Sequence, residues 1–507
     1  AGKSASSKSS SNRAHGKNKA GVYDFYDDWS CNLRSVRPHQ TLALERGARE
    51  KALTVTIKIR PLNDHRGGKH NAASSSSSES PTERLRRYVV RQIRQSAGVP
   101  FHKDRSRRRC EQIMDEAAAD AWTRLIRPAL FREARKTLMN DAEQHAISCF
   151  ATNLSSLLLQ PPLPAVRPGS AKSLAMRTVL GVDPGFRAGC KLAAIDAQGR
   201  VLDTCTVYPH PPRRCAAEAH NVMKRLCMKH GIGLIAIGNG TASRETEALI
   251  ADMIARWRQG TEMSRVSSSS SSSSSIVPQY AIVNEAGASV YSTSASANKE
   301  FGANADPLAI GAVSIARRLQ DPLSELVKIP PQSIGVGMYQ HDVSEKKLSE
   351  RLEQVVSNVV SDVGVRANSA SLDVLRHVSG LNAARAKKIH AHVRACGPLK
   401  CREEILEISG IGKRTYEQCA GFLRIAGGSC PLDDTNVHPE SYSVARAVLG
   451  LAGCTEFSLV VSSSNSLSKS SVVSSKLAAL TDVQLSDVAA SEHVSLQRVR
   501  ETRDFLK

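Results

Sequence analysis

The sequence predicts a multidomain protein of the α plus α/β class. Three observations carry that prediction. At 507 residues the chain exceeds what one hydrophobic core supports, and roughly three or four domains are expected. Between Val179 and Leu319 short apolar runs of strand length alternate with helical periodicity. From Cys110 to Leu159, and again beyond Pro330, the periodicity is helical alone.

The first twenty residues (1–20) are Ser, Lys and Asn with almost nothing apolar, the composition of a disordered basic tail. A mainly helical region is expected over 21–170. Within it Arg84, Arg86, Arg87, Arg91 and Arg94 stand near helical spacing beside Leu85, Val89 and Ile93, followed by Arg105, Arg107, Arg108 and Arg109. That pattern is a basic amphipathic helix, which serves a phosphate surface or a solvated face equally well. Ala-rich segments without Gly or Pro continue the helices to Leu159, and Pro161-Pro162 stop them. Serine-rich stretches at Ser74 to Ser80, Ser267 to Ser275 and Ser462 to Ser475 read as surface insertions, because such tracts bury little apolar surface.

The α/β domain is bounded at 174–325, with a Ser-rich insertion at 264–275. Strands are expected at Val179 to Val182, Lys191 to Ile195 and Val201 to Tyr208, the last two joined by the turn Asp196-Ala-Gln-Gly199. A helix over Ala216 to His230 follows, then a strand at Leu234 to Ile237, a helix from Glu245 to Trp257, a strand at Tyr280 to Val283 and a helix from Ala309 to Leu319. Three strands in meander and then alternating helix and strand is the order of a ribonuclease-H-like domain.

In that order Asp183 and Glu285 end two strands, and Asp306 opens the last helix. Two readings are open. Three converging carboxylates suit two-metal phosphodiester hydrolysis with Mg2+ or Mn2+, because paired ions both screen the acids and clamp the attacking and leaving oxygens. The same acids, each beside Pro, Gly or a helix start, serve as turn and helix caps.

A connecting helical segment (326–365) leads to two segments that resemble each other (366–428). Val378-Ser-Gly-Leu-Asn-Ala-Ala-Arg-Ala-Lys-Lys-Ile389 is followed by Ile408-Ser-Gly-Ile-Gly-Lys-Arg-Thr-Tyr-Glu-Gln418. Each sets Gly in a tight turn between short helices, where the backbone needs its freedom and a phosphate needs the missing side chain. Turn amides then open on the next helix N-terminus, whose dipole favours an anion. Gly380, Arg385, Lys387 and Lys388 in the first, with Gly410, Gly412, Lys413 and Arg414 in the second, are the candidate nucleic-acid-binding residues. This helix-hairpin-helix logic predicts sequence-independent backbone binding that needs no cofactor, the other reading being a helix–Gly–helix turn used only for packing. A helical segment, with the third serine stretch inside it, fills 429–507.

Bulk composition agrees. Lys and Arg number 69 against 48 acids, a net charge of +21, and an excess of that size suits RNA or DNA as partner. Twelve Cys in so long a chain make no disulfide framework; Cys190 and Cys419 sit in apolar runs as buried thiols, which suits an intracellular protein. Cys396 and Cys401 lack a second pair at zinc-site spacing. No apolar run approaches the roughly 20 residues of a membrane helix.

These segments together resemble one family. Val179-Leu-Gly-Val-Asp-Pro-Gly-Phe-Arg-Ala-Gly-Cys-Lys191 looks like the opening of the YqgF-type, RuvC-like domain of Tex transcription-accessory proteins. Ile237-Gly-Asn-Gly-Thr-Ala-Ser-Arg-Glu-Thr-Glu247, Val283-Asn-Glu-Ala-Gly-Ala-Ser-Val-Tyr-Ser292, Gly335-Val-Gly-Met-Tyr-Gln-His-Asp-Val343 and Leu432-Asp-Asp-Thr-Asn-Val-His-Pro-Glu-Ser-Tyr442 are similar to its later segments. The resemblance implies a helical scaffold, a YqgF domain, tandem helix-hairpin-helix motifs and a nucleic-acid-binding role in transcription or RNA metabolism, with transcription or translation machinery as further partners. It also implies a C-terminal OB-type RNA-binding domain and an N-terminal helix-turn-helix region, neither matched here, as in a fragment, and the serine insertions suggest a eukaryotic homologue. Asp183, Glu285 and Asp306 correspond to the YqgF nuclease positions, while Asn239 stands where RuvC resolvases carry an acid, and Ile310 where the family usually has Arg.

Overall fold

The computed structural model describes residues 21–58, 81–96, 105–163, 178–267, 277–302, 306–458 and 467–506. The basic tail, the serine stretch 74–80 and most of the stretch 267–275 lie outside them. The chain divides into two compact units: Ala1–Cys149 with Tyr339–Glu345, and Phe150–Met338 with Lys346–Lys507.

The first unit is helical, as expected. Pro38–Arg49, Pro81–Ser96 and Arg105–Ala121 are helices, and a longer one begins at Arg127. In Pro81–Ser96 the residues Leu85, Val89 and Ile93 turn partly inward while Arg84, Arg87 and Arg91 are exposed, so the amphipathic reading holds there. Ion pairs join elements distant in sequence. Glu45 receives Arg135 at 2.5 and 2.7 Å, and the buried Asp342 carboxylate receives both Arg46 and Arg49.

In the second unit, β1 (Val179–Asp183), β2 (Cys190–Ile195), β3 (Val201–Val207), β4 (Leu234–Gly238) and β5 (Gln279–Val283) form one sheet in the order β3-β2-β1-β4-β5. The meander β1-β2-β3 is antiparallel, and β1, β4 and β5 run parallel. Alternation decides what each face buries. Leu180, Val182, Leu192, Ile235 and Ile237 pack with Met223, Ile250, Met253 and Trp257 from the helices Ala216–His230 and Ser243–Ser267. Val179, Ala193, Ile195 and Ala236 pack with Ala312, Val313, Ile315 and Ala316 of Pro307–Gln320. That helix lies so close to β1 that a Cβ on Gly181 would collide with the Ala312 carbonyl. Pro307 at its first turn and Asp306 as its cap fix where it starts.

Beyond Glu345–Val363, short helices Leu372–Leu375, Ala383–Cys396 and Lys413–Cys419 form the duplicated region, closed by the two-residue parallel pairing of Val365–Arg366 with Leu423–Arg424. The last segment corrects one expectation. Residues 467–478, inside and just past the third serine stretch, are helical, and Leu477 is fully buried with Val444, Val448, Leu485 and Val499. Val473, Leu477 and Leu480 supply a helical stripe that the serines obscure in sequence. Cys190 and Cys419 are free and buried. Among the described residues no helix is long and apolar enough to cross a membrane.

Candidate nucleic-acid interface and acidic cleft

Parallel β1, β4 and β5 end on the same side of the sheet, the edge where open α/β sheets place ligands. Asp183 ends β1, Asn239 follows β4 and Glu285 follows β5. The Glu285 amide donates to Asn239 Oδ1 at 3.1 Å, tying the two loops together. The Glu285 carboxylate lies over Gly238 and Gly240, where any Cβ would collide with it, and Asp183 Oδ2 rests against Gly311. Burial first, and the nearby Glu285 charge second, push the Asp183 carboxyl up to about 6. Lys191 opposes that shift: it is Asp183's antiparallel partner in the β1–β2 register and is itself buried.

Two of the three expected carboxylates therefore come together, and the third does not join them. Asp306 is exposed and accepts from the Leu308 amide at 2.9 Å, as the cap of its helix. Among the described residues no three His, Cys, Asp or Glu side chains are grouped to hold a metal. One Glu285 oxygen is buried without a hydrogen-bond partner, an atom that would suit a cation. The set as a whole does not fit a two-ion centre: one acid caps a helix, Asn239 uses its oxygen on the backbone, and an ammonium already stands beside Asp183. Arg318 adds a second built-in cation. Buried to 5% exposure, it donates to the Asn284 carbonyl, and burial lowers its guanidinium to about 10 against the opposing pull of Glu325 and Glu285.

In the duplicated region Gly380 has φ +79° and Gly410 φ +88°, a conformation that side chains resist, so glycine is required at both turns. At the first hairpin the Asn382 side chain caps the Arg385 amide at 2.9 Å, and Arg385 Nη1 folds back onto the Gly380 carbonyl at 3.2 Å. At the second, Gly412 supplies no side-chain cap and has open space around it. Lys387, Lys388, Lys413 and Arg414 are exposed and make no hydrogen bond or ion pair among the described residues.

Sequence reasoning missed the residue that anchors the second hairpin. Arg402, at 1% exposure, opens the turn-rich segment Arg402–Glu407. It donates to the carbonyls of Leu423, Val437 and Thr435 at 2.7, 2.6 and 2.6 Å and to the Tyr442 hydroxyl at 2.8 Å. Its amide donates to Asp433, which also receives the Tyr442 hydroxyl. An arginine in a Lys/Arg-rich chain reads as surface, so composition concealed it. Lys191 did leave a signal, as the one charge inside a buried strand.

An RNase-H-like sheet followed by two glycine hairpins and a further helical module defines a ribonuclease-H-like, helix-hairpin-helix protein. Comparison with known families agrees. Residues 4–150 match the Tex central region, 177–320 the Tex protein YqgF-like domain, 360–424 a helix-hairpin-helix motif and 430–491 an HHH domain. The chain belongs to the Tex family. It is 40% identical over 449 residues to the uncharacterized protein YdcI of Bacillus subtilis, covering 88% of this chain and 54% of that protein. The transcriptional accessory protein Tex of Neisseria gonorrhoeae is 38% identical over 435 residues, 86% of this chain and 50% of its own length. The human S1 RNA-binding domain-containing protein 1 is 36% identical over 478 residues, 85% and 43% respectively. The chain spans about half the length of the curated relatives it matches. The HHH domain at 430–491 covers much of what the sequence marked only as a helical segment.

Proposed function

We propose that this chain is a nucleic-acid-binding scaffold that holds RNA or DNA by the phosphodiester backbone, without sequence specificity, in transcription or RNA metabolism. The observation that carries this reading is the duplicated region, where required-glycine turns stand beside four exposed basic side chains with no acidic partner among the described residues. Elsewhere in the chain many basic side chains are neutralised locally, as Arg135 is by Glu45, Arg446 by Glu456 and Arg500 by Asp482. Cations left unpaired are the ones able to displace counterions from phosphates. The net charge of +21 and the name of the gonococcal relative, a transcriptional accessory protein, favour the same role.

Metal-dependent hydrolysis at Asp183 and Glu285 is the alternative, favoured by their proximity and by the unpartnered Glu285 oxygen. The position of Asp306 and the ammonium of Lys191 speak against it.

Substituting both turn glycines, Gly380→Glu with Gly410→Glu, puts carboxylates into the two turns. Affinity for a labelled oligonucleotide is expected to fall at least tenfold in anisotropy titrations; unchanged affinity refutes the hairpin assignment. Incubation of the unsubstituted chain with Mg2+ or Mn2+ is expected to leave single-stranded, duplex and branched substrates intact. Cleavage that disappears in Asp183→Asn would establish the hydrolytic reading instead.

A further inference from the structure

The two hairpins are repeats in sequence but not in equipment. Gly380 corresponds to Gly410, Asn382 to Gly412, Ala383 and Ala384 to Lys413 and Arg414, and Lys388 to Gln418. Packing exchanges the last pair. A Cβ on Gly380 would lie 2.7 Å from Gln418 Cβ, and a Cβ on Gly410 would collide with the Lys388 ammonium. Each turn is thus covered by the equivalent residue of the other repeat.

The exchange concentrates charge. Lys388, belonging to the first repeat, reaches the second turn, which already carries Lys413 and Arg414. The first turn meets the Cβ and backbone of Gln418, a residue without charge. Its own polar groups are also occupied: Asn382 caps Arg385, and Arg385 is bound to the Gly380 carbonyl. At 412 the helix has no side-chain cap, and the glycine leaves the approach open.

Resting on the nucleic-acid reading above, we propose that the second hairpin alone grips the phosphodiester backbone. Lys388 acts there from across the repeat boundary, and the first hairpin is its buttress. The duplication serves to deliver a third cation to one turn, and it does not double the number of grips.

The test measures binding of a labelled single-stranded oligonucleotide to the full chain over a range of salt concentrations, with thermal melts to verify folding. Lys388→Gln, Lys413→Gln and Arg414→Gln are each expected to weaken binding about five- to tenfold at 0.1 M salt and to reduce the log–log salt slope by about 0.7. Arg394→Gln, further along the same helix as Lys388 and also exposed, is expected to change neither. The paired change Lys388→Gln with Gln418→Lys keeps the net charge and moves the ammonium to the first turn. It is expected to bind as poorly as Lys388→Gln alone. Restored affinity in that pair, or an equal loss from Arg394→Gln, overturns the one-sided assignment while leaving nucleic-acid binding intact. A slope unmoved by every substitution refutes the underlying hairpin reading as well.

Discussion

Asp183 has neighbours of opposite sign, and their balance determines what it contributes. Glu285 and burial oppose its ionisation, Lys191 supports it, and the net effect raises its carboxyl to about 6. An acid whose folded pKa exceeds its unfolded value binds its proton more tightly when folded, so stability is highest below pH 4 for this group and falls as pH rises towards 6. The shift corresponds to at most about 3 kcal/mol, and partial solvent access reduces that to about 1–2 kcal/mol. Asp183→Asn is therefore expected to raise the melting temperature at pH 7.5 and to leave it unchanged at pH 4. A variant less stable than the parent at pH 7.5 would show that the Lys191 attraction dominates. Arg402 presents the reverse case. Its guanidinium satisfies two buried carbonyls and a half-buried third, and each buried one stranded by its loss would cost about 1–3 kcal/mol.

At the level of elements, the central packing is β1 against the Pro307–Gln320 helix, and glycine and alanine set its spacing. Gly181→Ala forces the helix off the sheet, because the colliding atom is backbone and cannot rotate away. A loss of about 1–3 kcal/mol is expected in denaturant unfolding; an unchanged midpoint would mean that this helix is not held where described. The strands themselves were legible in sequence: Val179, Leu234 and Tyr280 mark runs whose observed limits differ from the expected ones by about a residue, since alternation is a local signal. Side-chain partnerships were less legible. That Asp306 is taken up by the Leu308 amide is a matter of where its helix starts, and Lys191 meets Asp183 only through the β1–β2 register. Lys388 reaches Gly410 only when the two repeats fold against each other. The helix at 467–478 was hidden for a compositional reason, its apolar stripe being diluted by serine.

Across the whole molecule, the charges divide into those used within the fold and those left free. Arg318 and Arg402 are buried and committed to holding the Asn284 loop and the segment 423–442, and Lys191 is buried opposite Asp183 in the β1–β2 register. The exposed cations of the hairpins have no such duty. In the proposed scaffold the backbone-binding turn lies between the α/β domain and the module at 430–491 in the chain, and the acidic pair has the buried Lys191 opposite Asp183 in the strand register. The most direct measurement of that claim is a salt titration of the full chain against two oligonucleotides of equal length and unrelated sequence. Linear log–log plots with the same slope, close to −2 for single strands bound through three cations, are expected. Slopes that differ between the sequences, or binding indifferent to salt, would contradict it.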